Sequence, residues 1–111
     1  MDNASIIEKL NIALSGRFDD YRGAYFFGSR LTGGFTKDSD YDVVLIFDGL
    51  EYEKQLKIAG VVSQIEYRFD VFIDCKLLTT SGNKSIEYIR ENVNPIFIQR
   101  AIDSGIFYAR A

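Results

Sequence analysis

The chain has no histidine, no tryptophan, a single cysteine and a single proline among its 111 residues. Without histidine, most zinc sites and every Ser-His or Cys-His nucleophile arrangement are excluded. Any catalysis must come from carboxylates, hydroxyls and cations. One cysteine, Cys75, cannot form an internal disulfide, which points to a reducing compartment and a cytoplasmic location. Following an apolar stretch, Cys75 reads as a small buried or half-buried thiol rather than a nucleophile. No apolar run approaches the ~20 residues that a membrane helix requires. The N-terminus, Met1-Asp2-Asn3-Ala4, lacks the basic region and apolar core of a signal peptide. Positive charge is also scarce, with 13 Lys+Arg against 16 Asp+Glu and a net charge of −3. That balance argues against non-specific binding to nucleic acid or to a membrane surface. Repeats, charge blocks and Pro/Ser-rich linkers are missing, so residues 1–111 read as a single domain.

What the chain does have is core material. Hydrophobic residues make up 47%, with nine Phe and seven Tyr, which excludes a disordered or low-complexity chain. Helical spacing of Ile6, Ile7, Leu10, Ala13 and Leu14 predicts a helix over 5–15, with Asn3 or Ser5 as N-cap and Gly16 as stop. The apolar runs 23–27 and 42–47 read as buried strands. Residues 50–67 read as a helix, and 69–73, by composition, as another strand. After a turn at 81–83, helices are expected at 84–92 and, with Asn94 as N-cap and Pro95 in its first turn, up to Ser104. A last short strand covers 106–108. The class is therefore α/β or α+β, a small mixed sheet flanked by helices.

One segment carries chemistry. Gly28-Ser29 ends a strand, ten residues follow, and Asp40-Tyr41-Asp42 opens the next strand. Gly28 permits a tight turn and close approach of backbone to a ligand. The N–H groups of Ser29 and Arg30, with the Ser29 hydroxyl, can cradle phosphate oxygens. Arg30 and Lys37 are available to offset phosphate charge. Alternation along a strand sends Asp40 and Asp42 to the same face, and two carboxylates beside a phosphate cradle form a hard-oxygen site suited to Mg²⁺. Tyr41, between them, points to the opposite face and into the core.

Gly-Ser, ten residues and Asp-x-Asp, followed by Val-Val-Leu-Ile, resembles the nucleotidyltransferase superfamily of DNA polymerase β type, and the small size resembles its minimal members. The resemblance covers residues 22–74, with Gly28, Ser29, Asp40 and Asp42 as the specific matches. It implies a polymerase β-type nucleotidyltransferase fold, two Mg²⁺ ions, and transfer of a nucleoside monophosphate, AMP from ATP in the first instance, to an acceptor hydroxyl. It also implies a third carboxylate on a later strand. If 67–74 is extended, Asp70 and Asp74 share a face about 13 Å apart, so only one can join the pair. Asp70, before the apolar triplet Val71-Phe72-Ile73, fits the family pattern better; Asp74 is the alternative. The metal and catalytic set is then Asp40, Asp42 and Asp70, with Gly28, Ser29 and Arg30 on the nucleotide. Tyr88, Arg90, Tyr108 and Arg110 have weaker claims, packing and solvated charge being the expected roles.

Minimal members pair with helical partners of the HEPN type, as toxin–antitoxin or substrate-binding pairs, and in some pairs the partner itself is the acceptor. At this length the chain accommodates the nucleotide-and-metal half of a transferase but hardly a second domain to present an acceptor, so a partner protein or a homo-oligomer is expected. A template-directed polymerase is disfavoured by the net charge and the lack of room. The rival reading is a non-catalytic, antitoxin-like module that binds a nucleotide without turnover. Residues 1–55 carry ten acids against six bases, and residues 56–111 six against seven. The excess negative charge thus sits in the half that holds Asp40 and Asp42, where two Mg²⁺ ions would more than offset it.

Overall fold

A computed structural model describes residues 2–111. The chain begins with helix α1 (Asn3–Arg17), capped by Asp2, whose carboxylate accepts from Ser5 N–H at 2.8 Å. Asp2 therefore takes the capping role expected of Asn3 or Ser5, and the helix runs one residue past Gly16. Strand β1 (Tyr21–Phe27) leads into a single-turn helix, α2 (Ser29–Thr32), and after a loop strand β2 (Tyr41–Phe47) begins. Helix α3 (Tyr52–Phe69), strand β3 (Ile73–Thr79), helices α4 (Ile86–Asn92) and α5 (Ile96–Ser104), and strand β4 (Ile106–Ala109) complete the chain.

The four strands form one mixed sheet in the order β3-β2-β1-β4. β1 runs antiparallel to β2 and to β4, whereas β2 and β3 are parallel and joined by α3 as the crossover. This is the small mixed sheet with helices that the sequence predicts. The uninterrupted apolar run Val43–Phe47 has a direct cause: β2 is an inner strand covered on both faces. Val43, Leu45 and Phe47 pack with Leu10 and Leu14 of α1 and Ile58 and Val62 of α3. Val44, with Phe27 and Leu78, packs instead on Ile98 and Ala101 of α5. Tyr41 is buried on the α1/α3 side, its ring stacked on Phe26 and its hydroxyl donating to Asn3.

The third strand is displaced from its expected place. Residues 69–73 do not form it: α3 continues through Phe69, and β3 starts at Ile73. The helical stripe Ile58, Val61, Val62 and Ile65 extends to the half-buried Phe69, and tertiary packing overrides the strand propensity of the following residues. Asp70 closes the helix in the left-handed conformation, φ 53° and ψ 53°, which Asp tolerates better than most side chains. Glu66 then accepts from Ile73 N–H at 2.9 Å and fixes the entry into β3.

Candidate functional site

The β1–α2 junction is built around Gly28. Its φ of 86° and ψ of −168° belong to a region essentially reserved for glycine. A Cβ added there would run into the Asp42 carboxylate, whose Cγ and Cβ would lie 3.0 and 3.2 Å away. The glycine thus lets the Asp42 side chain lie against the backbone where α2 begins. Leu31 and Thr32 N–H groups both donate to Gly28 O at 3.0 Å, leaving the N–H groups of Ser29 and Arg30 without intrahelical partners. A cleft of about 340 Å³ opens beside them, bounded by Gly28, Ser29, Thr32 and, from α5, Arg100 and Ser104.

Asp42 lies opposite Phe27 on one side and Asp74 on the other. The parallel β2/β3 register, Asp42 with Asp74 and Val44 with Lys76, puts these side chains on the α5 face, because Val44 and Leu78 at even positions pack there. Asp42 is half-buried, and its carboxyl is pushed above the ordinary aspartate range, first by burial, then by the charges of Asp74 and Asp40. Lys76 and Arg100 act in the opposite direction. Asp40 is exposed at the end of the loop that precedes β2. Asp74 pairs with Lys76, Nζ to Oδ1 3.2 Å.

Asp70 has a different setting. At the end of α3 it borders a cleft with Lys37, Asp38, Ser39, Val71 and Phe72, and its charge is not among those acting on Asp42. The expectation that 67–74 is one strand carrying both aspartates on a shared face is corrected here: Asp74 is on the strand and in register with Asp42, while Asp70 is in the turn before it. Arg30 is also committed elsewhere. Its guanidinium donates to Ser39 O and Lys37 O, both at 3.1 Å, and stacks on Tyr41 and Phe35 with centroids 4.6 and 4.9 Å away. It shapes the loop that delivers Asp40. Arg110 ties the C-terminus to the carbonyls of Ser15 and Asp19.

Sequence reasoning missed Lys76 and Arg100. The first becomes visible once Asp74 is known to be in the strand, two residues away on the same face. The second needs the packing of α5 over β1 and β2. Among the described residues, no three His, Cys, Asp or Glu side chains already surround one point.

A family model described as polymerase beta, nucleotidyltransferase matches residues 8–106. The chain belongs to this family. No curated protein matches it. The match runs from within α1 through β1, β2, β3 and α5 to the first residue of β4, so the polymerase β-type nucleotidyltransferase domain is the mixed sheet with its helices. Nucleotidyl transfer is thereby the general chemistry of this nucleotidyltransferase domain. Cys75 takes no part in such a site. It packs on the α1/α3 side, by an apolar cleft of about 300 Å³ between α3 and β3, and burial pushes its thiol up to about 12. No helix among the described residues is long and apolar enough to cross a membrane.

Proposed function

We propose that the protein is a Mg²⁺-dependent nucleotidyltransferase that moves AMP from ATP to an acceptor hydroxyl, with Asp40, Asp42 and Asp74 as its carboxylates. The observation that carries this reading is the position of Asp42, against Gly28 and the start of α2 on one side and in register with Asp74 on the other. Asp74 takes the place that the sequence favoured for Asp70, because only Asp74 shares the sheet face and the strand pairing with Asp42. The donor set fits a divalent cation: it is all oxygen, and burial together with like charge disfavours the ionised Asp42 unless a cation is near.

Bound at these carboxylates, divalent ions would lower the charge on the reacting phosphate and on the leaving pyrophosphate and raise the acidity of the acceptor hydroxyl. The protein's own part is positioning. The Ser29 and Arg30 N–H groups, the Ser29 hydroxyl and the Arg100 guanidinium offer donors to triphosphate oxygens in the Gly28 cleft. That cleft lies on the β1 side of Asp42, whereas Asp74 lies on the β3 side. In-line displacement then brings the acceptor in past β3, with pyrophosphate leaving toward α2. A helical HEPN-type partner protein is the acceptor or docking partner to try first, in a cytoplasmic setting consistent with the lone free thiol.

Transfer from α-labelled ATP in the presence of Mg²⁺ tests the reading. Asp42→Asn and Asp74→Asn should each abolish it while leaving the thermal transition cooperative, and Asp70→Asn should retain it. Undiminished transfer by Asp42→Asn would overturn the assignment. Stabilisation by ATP without pyrophosphate release, with the partner supplied, would favour the binding-module alternative.

A further inference from the structure

Lys76 is a cation paired with Asp74, the carboxylate in register with Asp42. Its stem lies on the α5 face of β3, its ammonium reaches Asp74 at 3.2 Å, and the same ammonium lies 5.7 Å from the centroid of the Phe97 ring on α5. Both partners of the Lys76–Asp74 pair remain about two-fifths exposed, at 41% and 44%. A pair so exposed is held weakly, because water screens it and two flexible side chains must be ordered to keep it. The contrast with Lys54 is instructive. Lys54 is 19% exposed, bonds both Asp20 and Gly49 O, lies 3.4 Å from Glu51, and is fixed between the α1–β1 turn and the β2–α3 connection. Lys76 has one carboxylate and one aromatic face, which is an arrangement made to be exchanged.

We propose that Lys76 is the resident counter-cation of this nucleotidyltransferase: it holds Asp74 when no metal is bound and yields that carboxylate to an incoming divalent ion, thereby setting the affinity for the ion. The inference rests on the reading of Asp40, Asp42 and Asp74 as the metal-binding carboxylates. Lys76 acts through Asp74 and is a positioning residue. Displaced, its ammonium rests on the Phe97 face, where a cation over an aromatic ring is favoured. Two consequences follow from charge alone. Metal-free, the ammonium spares the three carboxylates part of their mutual repulsion. Metal-bound, it is a like charge beside the ion and must move or weaken binding.

The experiment is a titration of the full chain with Mn²⁺, followed by the electron paramagnetic resonance signal of free Mn²⁺, on the unsubstituted protein, Lys76→Met and Lys76→Arg. Met keeps an unbranched side chain of similar length and removes the charge. The expected result is Mn²⁺ binding roughly three- to tenfold tighter for Lys76→Met, the range that corresponds to loss of one weak competing pair. Lys76→Arg should stay within about twofold of the unsubstituted protein, since the competing charge persists. Binding to Lys76→Met that is equal to or weaker than that of the unsubstituted protein overturns the inference and leaves the site reading standing. Binding of Mn²⁺ to neither protein overturns both.

Discussion

Gly28 and Gly33 allow an experiment with its control built into one loop. Both residues adopt glycine-only backbone, φ 86° and ψ −168° at Gly28, φ 104° and ψ 174° at Gly33. An alanine at either position carries the conformational cost, about 1–3 kcal/mol. The surroundings differ. At Gly33 the new methyl group meets nothing within 4 Å, whereas at Gly28 it collides with the Asp42 carboxylate. Moving that carboxylate off its rotamer adds about 0.5–1.5 kcal/mol. Gly28→Ala should therefore cost about 2–4 kcal/mol in all, which in a domain of this size lowers the melting temperature by roughly 8–20 °C. Gly33→Ala should cost less by the collision alone. A double-mutant cycle isolates that difference, because in an Asp42→Ala background, where only the Cβ contact remains, Gly28→Ala should cost less than it does in the unsubstituted protein. Differential scanning fluorimetry or calorimetry reads all of these variants. Nucleotidyl transfer should be lost in Gly28→Ala and kept in Gly33→Ala. Equal melting temperatures for the two alanine variants, or a Gly28→Ala cost unchanged by removing Asp42, would refute the argument that Gly28 is there to admit the carboxylate.

Other expectations can be tested on the same protein. Arg30→Ala removes two hydrogen bonds to the 35–41 loop and two aromatic contacts, and should cost about 1–3 kcal/mol while making that loop the first site of limited proteolysis. Asp20 is pushed upward by its partial burial, but the Lys54 and Gly49 hydrogen bonds outweigh this and leave its carboxyl below the ordinary range. A carboxyl lowered in the folded state stabilises above its unfolded value and loses that contribution as pH falls. Asp20→Asn should thus cost about 1–2 kcal/mol at pH 7, and the gap to the unsubstituted protein should close in urea melts taken progressively below the ordinary Asp value of 3.8. Asp42→Asn should raise the melting temperature of the metal-free protein by a few degrees, because it relieves a desolvated charge repelled by Asp74 and Asp40. A fall instead would show that the carboxylate is held by favourable contacts.

Much of this architecture is legible from residue order. The run Val43–Phe47 announces an inner strand since no solvated face interrupts it, and Gly28-Ser29 with Asp40-x-Asp42 marks the site because those residue types serve phosphate and cation binding. The illegible part has a physical cause. Phe69-Asp70-Val71-Phe72-Ile73 has strand composition, but Phe69 completes the buried stripe of α3 and Asp70 supplies a left-handed cap. Local propensity loses to packing that only the tertiary structure creates, and the boundary moves by four residues. That shift changes which aspartate faces Asp42. Arg30 illustrates a second limit. Its type suits phosphate, yet five neighbours, Asn3 on α1 and Phe35, Lys37, Ser39 and Tyr41 from the loop and strand that follow, take its guanidinium first.

The parallel pairing of β2 with β3 also explains how one short chain can hold like charges close together. Register fixes Asp42 beside Asp74 through the backbone ladder, which the apolar pairs Val43–Cys75 and Leu45–Leu77 hold in place from the other face. The carboxylates therefore cannot separate by sliding the strands without exposing that core. Their repulsion is offset instead by the charges of Lys76 from β3 and Arg100 from α5. A ladder held by the core beneath and solvent-exposed cations above is the division of labour that exchange with a bound ion requires. The scaffold sets where the carboxylates are, and the cations decide how readily an ion replaces them. A substitution in the ladder, such as Val43→Ala, should consequently lower stability by about 1–3 kcal/mol with metal affinity altered little, while Lys76→Met should do the reverse.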